Sequence, residues 1–151
     1  RGKRKLMRPI ATKRPMHIVL RSSKAQGRYS LRMLRTQLFI QKLLPKLEKR
    51  FDVKVHDYAN VGNHVHLLIK AKTRKGFQDF LRTFSALVAR VATGAKKGNP
   101  FGKFWDALAF STVVNWGKHF ERLFDYVKLN QLEALGWVAR DKRSGTVISR
   151  V

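Results

Sequence analysis

The order of apolar patterns along the 151 residues predicts an α+β fold, an antiparallel β-sheet with helices packed on one face. Three observations carry that expectation. Segments of period two and segments of helical period alternate as strand, helix, strand, strand, helix, strand, helix. Hydrophobic residues make up 44% of the chain, enough for a substantial core. The length suits one domain, and neither an internal repeat nor a linker divides it.

Taken in order, the opening RGKRKLMRPIATKR holds seven basic side chains and little periodicity. It reads as a flexible basic arm, 1–14, touching phosphates through residues such as Arg4, Lys5 and Arg14. MHIVLRS is β-branched and apolar, a first strand with His17 and Val19 on one face. Ser30 is placed to cap a helix over about 31–48, where Leu31, Leu34 and Leu38 recur at helical spacing and Pro45 bends or shortens the last turn. FDVKVHDYA alternates as a second strand, with Phe51, Val53 and Val55 inward and Asp52, Lys54, His56 and Tyr58 outward. NVGN then turns the chain into a third strand, NHVHLLIKA.

GFQDFLRTFSALVARVATG is the most periodic segment. Phe77, Phe80, Leu81, Phe84, Leu87, Val88 and Val91 form one stripe, with Arg82 and Arg90 away from it. GAKKGNP ends that helix in a basic loop carrying Lys96 and Lys97. FWDALAFSTVVN reads as a fourth strand, and KHFERLFDYVKLNQLEALGW as a helix reaching about Leu135 and stopping near Gly136. The folded domain is thus expected over 15–138, followed by a basic C-terminal tail over 139–151.

Lys and Arg number 33 against nine Asp and Glu, a net charge of +24. That excess exceeds what solubility needs and attracts polyanions, nucleic acid first and an anionic membrane surface behind it. No apolar stretch approaches a membrane span and no signal peptide is visible. The absence of cysteine excludes a disulfide scaffold or thiolate metal site and fits a cytoplasmic protein.

Two short patterns bear on chemistry. On a strand, His64, His66 and Leu68 share one face while Val65, Leu67 and Ile69 share the other, so two imidazoles stand side by side. Such a pair suits a divalent metal, yet also fits two polar residues on a solvated sheet face. In the last helix, Tyr126 and Asn130 lie one turn apart on one face. A tyrosine phenol beside a cation can act as a nucleophile; at the end of an amphipathic helix it can equally be a core residue with its hydroxyl at the rim.

Taken together, NHVHLLI, FWDALAFSTVV and YVKLN resemble the HUH single-tyrosine transposases, in particular the REP-associated, IS200-like branch, over about residues 15–137. In that family the name HUH denotes histidine, hydrophobic, histidine, matched here by His64, Val65 and His66. A late-helix tyrosine in a Y-x-x-x-N or Y-x-x-x-Q pattern is matched by Tyr126 and Asn130. The resemblance implies a ferredoxin- or RRM-like HUH fold. It implies a Mg²⁺ or Mn²⁺ ion held by His64 and His66, with Asn130 or a water completing the protein side. It implies Tyr126 attacking a phosphate of single-stranded, hairpin-containing or palindromic DNA to give a 5′-phosphotyrosine link and a free 3′-OH. Asn130 is one methylene shorter than the glutamine of the best-known branch. The implied protein is a bacterial, nucleoid-associated monomer or homodimer.

Other residues weigh less. His17 reads as a strand-face histidine, His56 as a side chain that can support a ligand from behind, and His119 as a surface residue. Trp105, Trp116 and Trp137 are able to stack on unpaired bases, but Trp105 and Trp137, in apolar contexts, read as core. Two other readings stand beside the transposase: a non-catalytic basic nucleic-acid module of RRM-like or ribosomal type, and a relaxase or replication-initiator nicking enzyme, families that usually carry added domains.

Overall fold

The computed structural model describes residues 10–140, 143–144 and 147–150; Arg4 and Lys5 lie outside them. β1 (Met16–Arg21), α1 (Leu34–Phe51), β2 (Val53–Asn60), β3 (His64–Ala71), α2 (Arg74–Thr93), β4 (Phe110–Val113) and α3 (Lys118–Ala134) follow in the expected order. The strands form one sheet, β2-β3-β1-β4, in which every neighbouring pair is antiparallel. β1 and β2 therefore run parallel with β3 between them, a split β-α-β arrangement.

Alternation decides which side each residue serves. Met16, Ile18 and Leu20 of β1 and Val65, Leu67, Ile69 and Ala71 of β3 form one core with Ile40, Leu43, Leu44 and Leu47 of α1 and Phe77, Phe80, Phe84 and Val88 of α2. The antiparallel sheet with α1 and α2 packed on one face is the architecture expected. α3 takes the opposite face, against β2 and β3, so that face is not left to solvent: Leu68 and Val127 are fully buried there.

Several boundaries differ from the sequence reading. Ser30 closes a 3-10 turn at Gly27–Tyr29, and α1 begins after Met33, whose extended backbone sets the helix start. Leu31 enters the core from this loop, its N–H bonded to Gly62 O at 2.9 Å. Leu34 and Leu38 are exposed, so the leucine spacing marked the wrong face. Pro45 lies inside α1, which continues to Phe51; a proline costs one backbone bond but packing of the buried stripe holds the helix. Beyond it, Asp52 caps α1 in a left-handed conformation.

β2 carries a bulge. Val55 pairs with Ile69 and Asp57 with Leu68, leaving His56 as the extra residue. The alternation flips after it, so Tyr58 sits opposite Leu67 and packs against the core rather than facing outward. The fourth strand is only four residues long. Ahead of it, Asp106 turns the chain by donating its N–H to Arg21 O and accepting from both Ser23 N and Ser23 Oγ through Oδ1. Trp137 is exposed, because Gly136 ends α3 with φ +75° and sends the chain away from the core. Across the expected boundary between the domain and the 139–151 tail, β5 (Val138–Arg140) pairs antiparallel with β6 (Val147–Arg150).

The start of α2 fixes how closely the chain can pass. Thr73 Oγ1 accepts from Gly76 N at 2.9 Å, and a Cβ at Gly76 would lie 2.5 Å from the backbone oxygen of Phe51. Backbone cannot yield as a flexible side chain can. Gly76→Ala is expected to destabilise the protein by about 1–3 kcal/mol despite its better helix propensity. Urea unfolding checks this; a gain in stability would mean that the α1 end and the α2 start are not packed this closely.

Candidate active site

β3 is buried on both sides, and its even-numbered side chains face α3. His66 is only 6% exposed, His64 is half-buried, and their rings lie 4.8 Å apart. From α3, the Tyr126 ring meets His66 edge-on with centroids 5.9 Å apart and planes at 90°. Asn130, one turn further along α3, is buried. The structure thus brings Tyr126 against the histidine pair, with Asn130 on the adjoining turn.

α3 is held there by contacts on either side of Tyr126. Val127 is fully buried, Lys128 Nζ lies 3.5 Å from Asp57 Oδ2, and Phe120 packs edge-on against the bulged His56. The bulge therefore has a consequence for the site, since it turns both His56 and Asp57 toward α3. Tyr126 remains 44% exposed although its ring is in contact with His66. The other two tyrosines lie elsewhere: Tyr58 packs against the core on the α1 and α2 side, and Tyr29 stands against Arg28 and Phe101.

His17 belongs to this cluster. Its Nε2 lies 3.0 Å from His66 Nδ1, with the two rings nearly parallel at 7°. In β1 it shares the face of Val19, which pairs with His66, and of Arg21, which pairs with His64. The sequence reading underweighted His17 and passed over Arg21; the shared face was legible, but which residues meet depends on a pairing register that the two strands do not state separately. His56 is not a neighbour of the pair. It stands against Trp116 and Phe120. His119 is exposed and accepts from Asn115 N.

All three clustered imidazoles are kept neutral. Burial lowers His17; burial and then the Arg21 charge lower His64; burial, then His64 and His17, push His66 down to about 4. Neutral imidazole is the form that binds metal. His64 Nδ1 donates to Asn63 Oδ1 at 2.6 Å, which leaves Nε2 with its lone pair. On His66, Nδ1 is engaged by His17 and Nε2 is the nitrogen left. Among the described residues no group of three His, Cys, Asp or Glu side chains is spaced to hold an ion. The donors on this face are two imidazoles, which fit an ion whose other positions are open to water or phosphate oxygen.

The expected phosphate contacts are not gathered around the histidines. Arg82, Arg90, Lys96 and Lys97 lie on α2 and the loop after it, on the other side of the sheet; Arg90, Lys96 and Lys97 line one groove with Phe101 and Phe104. Arg14 donates to Asn115 Oδ1 at 3.0 Å. Arg21, opposite His64 across β1 and β3, places a positive charge beside the pair.

Because the folded state holds His66 neutral to about 4 while an unfolded histidine protonates near 6.5, the unfolded chain binds more protons in that window. Stability is therefore expected to fall as pH drops from about 6.5 toward 4. Thermal melting at pH 7.5 and 5 should show a lower Tm at pH 5, and a smaller drop in His66→Gln. A pH-independent Tm would contradict the buried cluster.

Residues 12–130 match the family described as Transposase IS200 like. A solved structure of a REP-associated tyrosine transposase bound to a REP hairpin shares this fold, with TM-score 0.60 and 14% identity over 90% of this chain and 76% of that one. A candidate transposase from Deinococcus radiodurans matches at TM-score 0.48 and 15% identity, covering 87% and 96%. No curated protein shows significant sequence similarity. With its family match spanning most of the folded region, the chain belongs to the IS200-like transposase family.

Proposed function

We propose that this protein is a metal-dependent transposase that cuts and rejoins single-stranded, hairpin-containing DNA through a 5′-phosphotyrosine link on Tyr126. The observation that carries the reading is the edge-on contact of the half-exposed Tyr126 ring with His66, on the face that also holds His64. The hairpin is the ligand of the structurally similar transposase, and the net charge of +24 suits a polyanion.

His64 and His66 would hold the ion through their Nε2 atoms, with Asn130 adding an amide oxygen. Bound Mg²⁺ or Mn²⁺ supplies polarisation of a phosphate and stabilisation of the negative charge that builds on it. His17, hydrogen-bonded to His66 Nδ1, holds that ring with Nε2 toward the open side. The Tyr126 phenol loses its proton to solvent and its oxygen attacks phosphorus. The bond from phosphorus to the 3′ oxygen breaks, and that oxygen leaves as a 3′-OH once protonated. Energy stored in the phosphotyrosine ester lets another 3′-OH reverse the step without a high-energy cofactor. The cations of α2 and the following loop, facing away from this chemistry, suit flanking DNA rather than the strand being cut. Among the described residues no helix is long and apolar enough to cross a membrane, and the reading places the protein in the bacterial cytoplasm with the nucleoid, as a monomer or homodimer.

Tyr126→Phe removes one oxygen and keeps the ring against His66. With Mn²⁺ and labelled hairpin-containing single-stranded DNA, it should abolish the covalent adduct on a denaturing gel while DNA affinity stays within about twofold, since phosphate contacts dominate affinity. A retained adduct would move the nucleophile elsewhere.

The His64→Ala, His66→Ala double variant should lose most Mn²⁺ affinity in calorimetry. Unchanged affinity would remove the metal from this face.

A further inference from the structure

α3 packs over β2 and β3, whereas on the β1–β4 half of the histidine face Arg21, Phe110 and Thr112 are exposed among the described residues. Phe110 of the edge strand β4 is 66% exposed. Its position is set by register: Val19 pairs with His66 on one side and with Phe110 on the other. Residues opposite one another across adjacent strands share a face, so His66, Val19 and Phe110 form a row across the sheet. At one strand spacing per step, Phe110 stands about 10 Å from His66. Arg21, opposite His64, and Thr112, opposite His17, flank this row and are exposed.

We infer that Phe110 is a stacking site for an unpaired base next to the phosphate being cut. A single exposed apolar residue is ordinary on a protein surface. Here the aromatic ring lies on the same face as the proposed chemistry, with a half-buried valine as floor and an arginine at the rim. That combination, an aromatic platform beside a cation, is what single-stranded nucleic acid uses, because every base offers a π-face and every linkage a negative charge. The distance allows one strand to place a phosphate at His66 and the base of a neighbouring nucleotide on Phe110. The inference rests on the reading of the protein as a single-strand DNA transposase.

The test compares fluorescence anisotropy for an oligothymidylate and for an abasic oligonucleotide of equal length, in wild type, Phe110→Ala, Phe110→Leu and Phe110→Trp. Loss of one stacked base is expected to weaken binding of oligothymidylate by about tenfold in the Ala and Leu variants. Binding of the abasic strand should be unchanged in all four, and Trp should restore affinity for oligothymidylate. Equal weakening on both strands, full affinity in Phe110→Leu, or no change in Phe110→Ala would overturn the assignment while leaving the transposase reading in place. A wild-type protein that binds neither strand would defeat the functional reading and this inference together. A dimer in wild type that light scattering finds as monomer in Phe110→Ala would show that Phe110 covers a second copy of the chain, and would overturn it too.

Discussion

Burial of β3 on both faces is the constraint from which the rest of the structure follows. Val65, Leu67, Ile69 and Ala71 are drawn under α1 and α2, and because side chains alternate, His64, His66 and Leu68 must emerge on the other side. Leu68 there needs cover, and with α3 against β3 both Leu68 and Val127 are fully buried. Once α3 lies across that face to bury apolar surface, Tyr126 meets His66. One packing requirement thus positions two chemically different elements that are far apart in sequence.

The same burial sets the electrostatics. Burial lowers the pKa of all three histidines, with the Arg21 charge adding to it at His64 and the other two imidazoles adding to it at His66, so each is held toward the neutral form. A neutral cluster keeps nitrogen lone pairs for a metal and avoids further positive charge where an ion would sit. His17 engages Nδ1 of His66, a contact that would fix the ring from behind if His66 holds a metal. The bulge at His56 contributes from the other side by turning Asp57 toward Lys128, which helps hold α3 beside the pair.

Much of this was legible in the sequence where period alone carries the information. β3, α2 and α3 are long, strongly patterned and bounded by clear stops, and they stand as read. The facing of His64 and His66 followed from the strand period, and the pairing of Tyr126 with Asn130 from helical spacing. What was not legible depends on partners distant in the chain. The bulge in β2 has no glycine or proline to mark it, so Tyr58 was assigned to the wrong face. Leu31 looked helical, but its N–H bonds to Gly62 in the hairpin between β2 and β3. His17, Arg21 and Phe110 join the histidine face only through the registers of β1 with β3 and β4.

The central claim is that the metal binds on this face, between His64 and His66 and beside Tyr126. Mn²⁺ broadens nearby proton resonances through its unpaired electrons, so substoichiometric Mn²⁺ added to the 151-residue protein locates the ion by NMR. The account predicts that the His64 and His66 ring signals broaden first, followed by those of Tyr126 and Asn130, while Tyr29 and the α2 loop stay sharp. Broadening centred on the exposed carboxylates of Asp52 or Asp106, with the histidine rings unaffected, would contradict it.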